Sequence, residues 1–223
     1  MDDGTQRSID RQMSEKGSCI MGQQEKKQNV SSDQTRHALA RALKELMSRK
    51  PLNKITIREL TERSGIRRQN FYYHFEDILD LMRWMFQEEA ISLLQKQEGE
   101  LLWQEGLLEL FRYIEDNRQV CLCALESVGR RHLKRFFEED IHAVIERSVN
   151  LIGEEIGALT GGASAEDAAL VTQIYEVGTA GIIESWLLGD INRTPEELVG
   201  FMDQMLQDHI RGARLRWQPE NQN

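Results

Sequence analysis

The chain has 223 residues, 40% of them hydrophobic and 29% charged, with only three prolines. That length can bury the core of one large or two small domains, and no apolar run reaches the ~18 residues a membrane span requires. Three cysteines make no disulfide framework, and a net charge of −9 taken alone argues against a nucleic-acid partner.

The distribution of that charge argues the other way. Between Lys26 and Phe75 there are twelve Lys and Arg and four acids, a local charge of +8 that leaves −17 for the remainder. A basic segment on an acidic chain suits a DNA-reading module joined to one that avoids DNA. Residues 1–30 are polar and aperiodic and predict a disordered arm, with Met13 and Met21 as alternative starts to Met1. The arm has no apolar stretch of a secretory signal, so the expected compartment is the cytoplasm. Ser31 to Gln34 opens a helix running to about Arg49. Its inner face is Ala38, Leu39, Ala42, Leu43, Leu46 and Met47, and Pro51 stops it.

Thr56 and Glu59 then form a capping box at the start of a short helix. Ser64-Gly65 ends that helix, with Gly65 supplying the positive φ of a tight turn, and Ile66 plugs the corner. A second helix opens on Arg68, Gln69 and Asn70 and continues through Phe71, Tyr72, Tyr73, His74 and Phe75. Two short helices around a glycine turn, the second with a basic, amide-rich start, make a helix-turn-helix. Arg pairs with guanine O6/N7, and Gln and Asn pair with adenine N6/N7. Arg58, Arg68, Gln69 and Asn70 are therefore the base-reading candidates. Lys54, Arg67, Tyr72, Tyr73 and His74 are the phosphate candidates, able to set register without reading sequence. Phe71 and Phe75, four apart, are expected in the core.

Gly65-Ile66 followed by Phe71-Tyr72-Tyr73-His74-Phe75 resembles the tetracycline-repressor (TetR/AcrR) family of bacterial transcription regulators. The lead-in Lys50-Pro51-Leu52-Asn53-Lys54-Ile55-Thr56-Ile57 and the follow-on Asp77-Ile78-Leu79-Asp80-Leu81 match as well. The run R-Q-x-F-Y-Y-H-F is similar to the dihydroxyacetone-kinase-regulator branch. Two positions depart from the family pattern. Arg67 stands where the family usually has a Ser, Thr or Asn cap, and Asn70 replaces a commoner Thr, so base preference is not transferable from relatives.

The resemblance implies an all-α fold. A three-helix helix-turn-helix head is joined by a long helix to a helical C-terminal dimerisation and ligand-binding domain. The expected divisions are an arm (1–30), a DNA-binding domain (31–77), a regulatory and dimerisation domain (78–218) and a tail (219–223). It also implies a homodimer on a double-stranded DNA operator. A small-molecule or protein effector in the second domain would alter the spacing of the two recognition helices, with repression the usual outcome. A different reading of the same motif is a helical adapter whose helix-turn-helix contacts protein.

Beyond the motif, Asp77 caps a long helix from Ile78 to about Gln97. Amphipathic helices follow over 100–117 and 119–126, and a long charged one over 127–156, with a stripe from Leu133 to Ile152. Ser164 caps a helix to Leu188, and Thr194-Pro195-Glu196-Glu197 is a strong start for the last one. In the resembled family the last two helices build a four-helix dimer seam. Gly178 and Gly181, one turn apart, with Ile182, Trp186, Leu187, Phe201, Met202 and Met205, fit that seam. Trp103, Phe111, Tyr113 and Tyr175 are effector-cavity candidates. Cys121 and Cys123 read as buried small hydrophobes, and Glu184 beside Trp186 is the carboxylate whose burial matters. The chain has no G-x-S-x-G, P-loop or H-E-x-x-H, so no enzyme, cofactor or metal is expected.

Overall fold

The computed structural model describes residues 32–95, 102–128, 142, 145–147, 149–150 and 165–216. The expected arm, the C-terminal tail and most of the helix expected over 127–156 lie outside the described residues. The fold is all-α. In chain order the elements are α1 (32–47), a 3-10 turn (Leu52–Lys54), α2 (Ile57–Ser64), α3 (Arg68–His74), α4 (Ile78–Phe86), a π turn (Gln87–Ile91) and α5 (Ser92–Gln95). They continue with α6 (Leu102–Asp116), α7 (Arg118–Val128), α8 (Ala165–Leu188) and α9 (Pro195–Arg216). Contacts group the residues up to Glu45 and Thr56–Leu81 into one unit, the head. Leu46–Ile55 and the chain from Met82 onward form a second, the body.

In the head, Leu39, Leu43, Leu60, Phe71 and Leu81 are fully buried. Helix starts are tied by side chains a few residues away. The Thr56 hydroxyl accepts from the Glu59 amide at 3.3 Å, and Glu59 Oε2 accepts from the Thr56 amide at 3.0 Å. That reciprocal pair satisfies two of the amides a helix start leaves open. Gly65 ends α2 at φ 70°, in the left-handed region where a Cβ is penalised. Asp77 Oδ1 accepts from the Asp80 amide at 2.8 Å, opening α4. Arg63 Nε reaches Glu45 Oε2 at 2.5 Å and clips α2 to α1.

In the body, α6 packs against α5, α7, α8 and α9. Its Phe111, fully buried, meets Trp186 of α8 edge-on, with ring centroids 5.1 Å apart. The Trp186 indole N–H donates to the Arg193 carbonyl at 2.8 Å, tying the end of α8 to the loop before α9. Thr194 and Glu197 repeat the capping box at the start of α9. Arg112 of α6 donates twice to Glu196 of α9, at 2.8 and 3.2 Å. Helix α7 lies against the 3-10 turn, and the buried Cys123 thiol donates to the Lys50 carbonyl at 3.5 Å. Burial pushes that thiol's pKa up. Both Cys121 and Cys123 are buried and unbridged.

The sequence predicts one unbroken helix from Ile78, but the structure inserts the π turn. The buried pair Met85 and Phe86 is followed by the buried pair Ala90 and Ile91, five residues on. An α-helix repeats a face every three or four residues. One i→i+5 turn keeps both pairs inward, and it aims Glu89 at the Tyr113 hydroxyl, which donates to it at 3.0 Å.

Candidate nucleic-acid interface

The head sorts the motif's side chains by exposure. Phe71 and Phe75 are buried, at 0% and 4% exposure, and anchor α3 to the core. Arg67, Arg68, Gln69 and Asn70 are all exposed and crowd the first turn of α3. Arg67 precedes the helix with an extended backbone and makes no side-chain cap, as an arginine, which has no acceptor oxygen, must. Tyr73 is 79% exposed and sits edge-on to His74, with centroids 4.9 Å apart. His74 is half-buried. Desolvation, and next the charge of Arg36, push its pKa below the usual 6.5, which favours the neutral ring.

The two arginines expected to read bases differ in their surroundings. Arg58 of α2 donates from Nε to Glu62 Oε1 at 2.7 Å, and that hydrogen bond and charge hold its pKa up. Arg68 of α3 donates from Nη2 to the Tyr72 hydroxyl at 3.2 Å, a neutral partner that leaves its charge unopposed. The sequence reading missed both pairings, although each lies at the legible spacing i, i+4. Lys54 is exposed on the 3-10 turn, its carbonyl accepting from Lys50 Nζ at 3.0 Å, and that turn is grouped with the body.

Residues 102–208 match the TetR-type model described as the transcriptional regulator C-terminal region. The chain is 31% identical over 84 residues to the activator DhaS of the dhaKLM operon from Lactococcus lactis. That match takes in 38% of this chain and 45% of DhaS, so under half the length of that curated relative is spanned. Among solved structures, the dihydroxyacetone kinase operon activator DhaS superposes with a TM-score of 0.64 at 21% identity, covering 79% of this chain and 96% of that one. NalD, a secondary repressor of a multidrug efflux pump in Pseudomonas aeruginosa, superposes with a TM-score of 0.51 at 16% identity, over 86% of this chain and 100% of that one. In its C-terminal region the chain is similar to TetR-type regulators, and its fold is theirs.

The remaining candidate sites lie in the body. Its α8 helix is apolar on two sides. Inward are Trp186 and Leu187, at 4% and 5% exposure, and outward are Leu170, Ile174 and Val177, at 55%, 65% and 49%. Trp186 and Leu187 are thereby corrected from the expected dimer seam to the subunit's own core, where Phe111 occupies the indole face. Gly178 and Gly181 are exposed on the outer side, and a Cβ at either would meet no atom of the same chain within 4 Å. Phe201 and Met205 of α9 are also outward, at 46% and 44%, while Ile182 and Met202 are half-buried.

The three effector-cavity candidates with described side chains do not converge. Phe111 is core, Tyr113 is occupied by Glu89, and burial chiefly, with Glu89, raises its pKa far above normal. The Tyr175 hydroxyl lies 2.6 Å from His209 Nδ1, joining α8 to α9. The Trp103 side chain lies outside the described residues. Glu184 is half-buried, and the buried carboxylate of α8 is Glu176, 7% exposed and 3.2 Å from His142 Nδ1. Thr172 and Glu176, four apart, share one buried side of α8, a spacing legible in the sequence.

Proposed function

We propose that this protein is a transcription regulator that binds a double-stranded DNA operator as a homodimer. In this reading residues 31–77 read DNA and residues 78–218 dimerise and respond to an effector. The observation that carries it is the first turn of α3, where exposed Arg67, Arg68, Gln69 and Asn70 stand on a helix pinned by buried Phe71 and Phe75. Such a surface offers donors to base edges and phosphates on a rigid support. It also weighs against the adapter reading, which needs a face without that charge. The similarity to transcriptional regulators favours a regulator over an enzyme, and the cytoplasm is its place of work.

The dimer seam in this reading is the outer side of α8 with Gly178 and Gly181, extended by Phe201 and Met205. Among the described residues, the helices packed on α8 leave Leu170, Ile174 and Val177 exposed, an apolar set suited to a second subunit. A small-molecule or protein effector bound in the body would shift the population between dimers whose recognition helices do and do not match successive major grooves.

Repression is what the resemblance implies, and NalD is a repressor. Activation is a second reading, favoured by the 31% identity with the activator DhaS. Selection of bound sequences from a random duplex library, followed by a reporter driven by the selected site, tests both layers. A two-half-site motif, with affinity falling steeply with salt at about −0.9 in log-log slope per phosphate neutralised, is expected. A flat salt response with no selected motif refutes DNA binding. The direction of the reporter response decides the sign.

A further inference from the structure

We propose that Tyr72 is a positioning residue for base reading, holding the Arg68 guanidinium in place, rather than one of the phosphate contacts. The inference rests on the DNA-binding reading above and assigns Tyr72 a different part in it. Three contacts carry it. The Arg68 Nη2 group donates to the Tyr72 hydroxyl at 3.2 Å. The same guanidinium lies over the Tyr72 ring, 5.6 Å from its centroid. That ring in turn sits edge-on against Phe71, at 5.5 Å and 89°, and Phe71 is fully buried. A rigid core residue thus braces a tyrosine, and the tyrosine braces an arginine one helical turn away.

The physical consequence concerns entropy and charge together. A free surface arginine samples many rotamers, and freezing them on DNA opposes binding. Tyr72 restricts that freedom beforehand. Its phenol is neutral, so no acid competes with DNA for Arg68, and the second Nη2 N–H, with the guanidinium nitrogen beside it, remains for a bidentate contact with guanine O6 and N7. Arg58 shows the contrast. Glu62 also holds it in place, at 2.7 Å, but with an opposing carboxylate that DNA binding must displace or desolvate. Of the two arginines, Arg68 is the one presented ready to read. Tyr73, 79% exposed and engaged only edge-on with His74, keeps the phosphate role.

The test uses the full-length protein and the duplex chosen by library selection. Affinity is measured for that duplex and for versions with each base pair changed, across a salt series, for wild type, Tyr72→Phe, Arg68→Ala and the double variant. Arg68→Ala should lose roughly 5- to 150-fold discrimination at one base pair. Tyr72→Phe keeps the ring on Phe71 and removes the hydroxyl. It should lose about three- to tenfold discrimination at that same base pair, with the salt slope unchanged. In the Arg68→Ala background Tyr72→Phe should do nothing further. Arg68→Lys, which keeps the charge without the planar fork, should lose discrimination there too, and it serves if Tyr72→Phe does not fold.

A Tyr72→Phe variant that weakens all sequences alike, with a salt slope shallower by about 0.9, makes Tyr72 a phosphate contact and overturns the proposal. An equal Tyr72→Phe loss in the Arg68→Ala background overturns it as well, as does unaltered discrimination in Arg68→Ala or in Arg68→Lys. Failure of the wild type to select any motif is a separate result. It removes the DNA-binding reading itself.

Discussion

In the head, Thr56 and Glu59 cap one another three residues apart, whereas in the body Arg112 finds Glu196 across 84 residues of chain. The contrast runs through both units. Around the head's motif, helix starts and stops are written in adjacent residues: the Thr56 box, the Gly65 turn, the Asp77 cap. The body carries long helices whose inward faces are chosen by partners far away, such as Phe111 for Trp186. Local chemistry thus defines the proposed DNA-reading surface, and long-range packing defines the body. A surface that must present side chains to an outside partner benefits from being determined locally, because its geometry then survives rearrangement elsewhere.

The largest test of this contrast is Trp186→Ala. Removing a buried indole that fills the space between α6 and α8 should cost about 3–5 kcal/mol of stability, read by urea unfolding at fixed protein concentration. A loss below about 1 kcal/mol would mean the body is not held by this long-range core.

Next comes Gly181→Arg. Since a Cβ there meets nothing within the subunit, the substitution should leave the monomer folded and act only on a partner. Sedimentation should show a dimer converted to a monomer, with operator affinity down by about 10²- to 10⁴-fold as the second half-site is lost. A variant that stays dimeric and binds fully would move the seam elsewhere.

Smaller effects sharpen the head's side of the comparison. Thr56→Ala should cost about 1 kcal/mol, since it opens one half of a two-way cap, while Thr56→Ser should cost little. Differential unfolding of the two variants reads this directly.

The smallest expected effect is a pH dependence from His74. Its folded pKa lies below 6.5, so the folded state favours the neutral ring. The associated stability is fully present above the unfolded pKa near 6.5 and is lost as pH falls through the lower folded value. His74→Gln should flatten that decline in unfolding experiments between pH 8 and 5. An unchanged slope would show that His74 is not its source.

The helix-turn-helix, the all-α class and nearly every helix start were legible in the residues alone. Those depend on caps, on glycine and on the 3.6-residue period, all of which operate within a few residues. The pairs Arg58–Glu62 and Arg68–Tyr72 also lie at the local spacing i, i+4. Which side of α8 turns inward was settled by packing. That helix is apolar on both sides, so periodicity carries no preference, and the choice falls to Phe111, more than 70 residues away in the chain. The same holds for the π turn after Phe86. Its cause is the need to keep Met85, Phe86, Ala90 and Ile91 on one buried face, and that need exists only once there is a core to face.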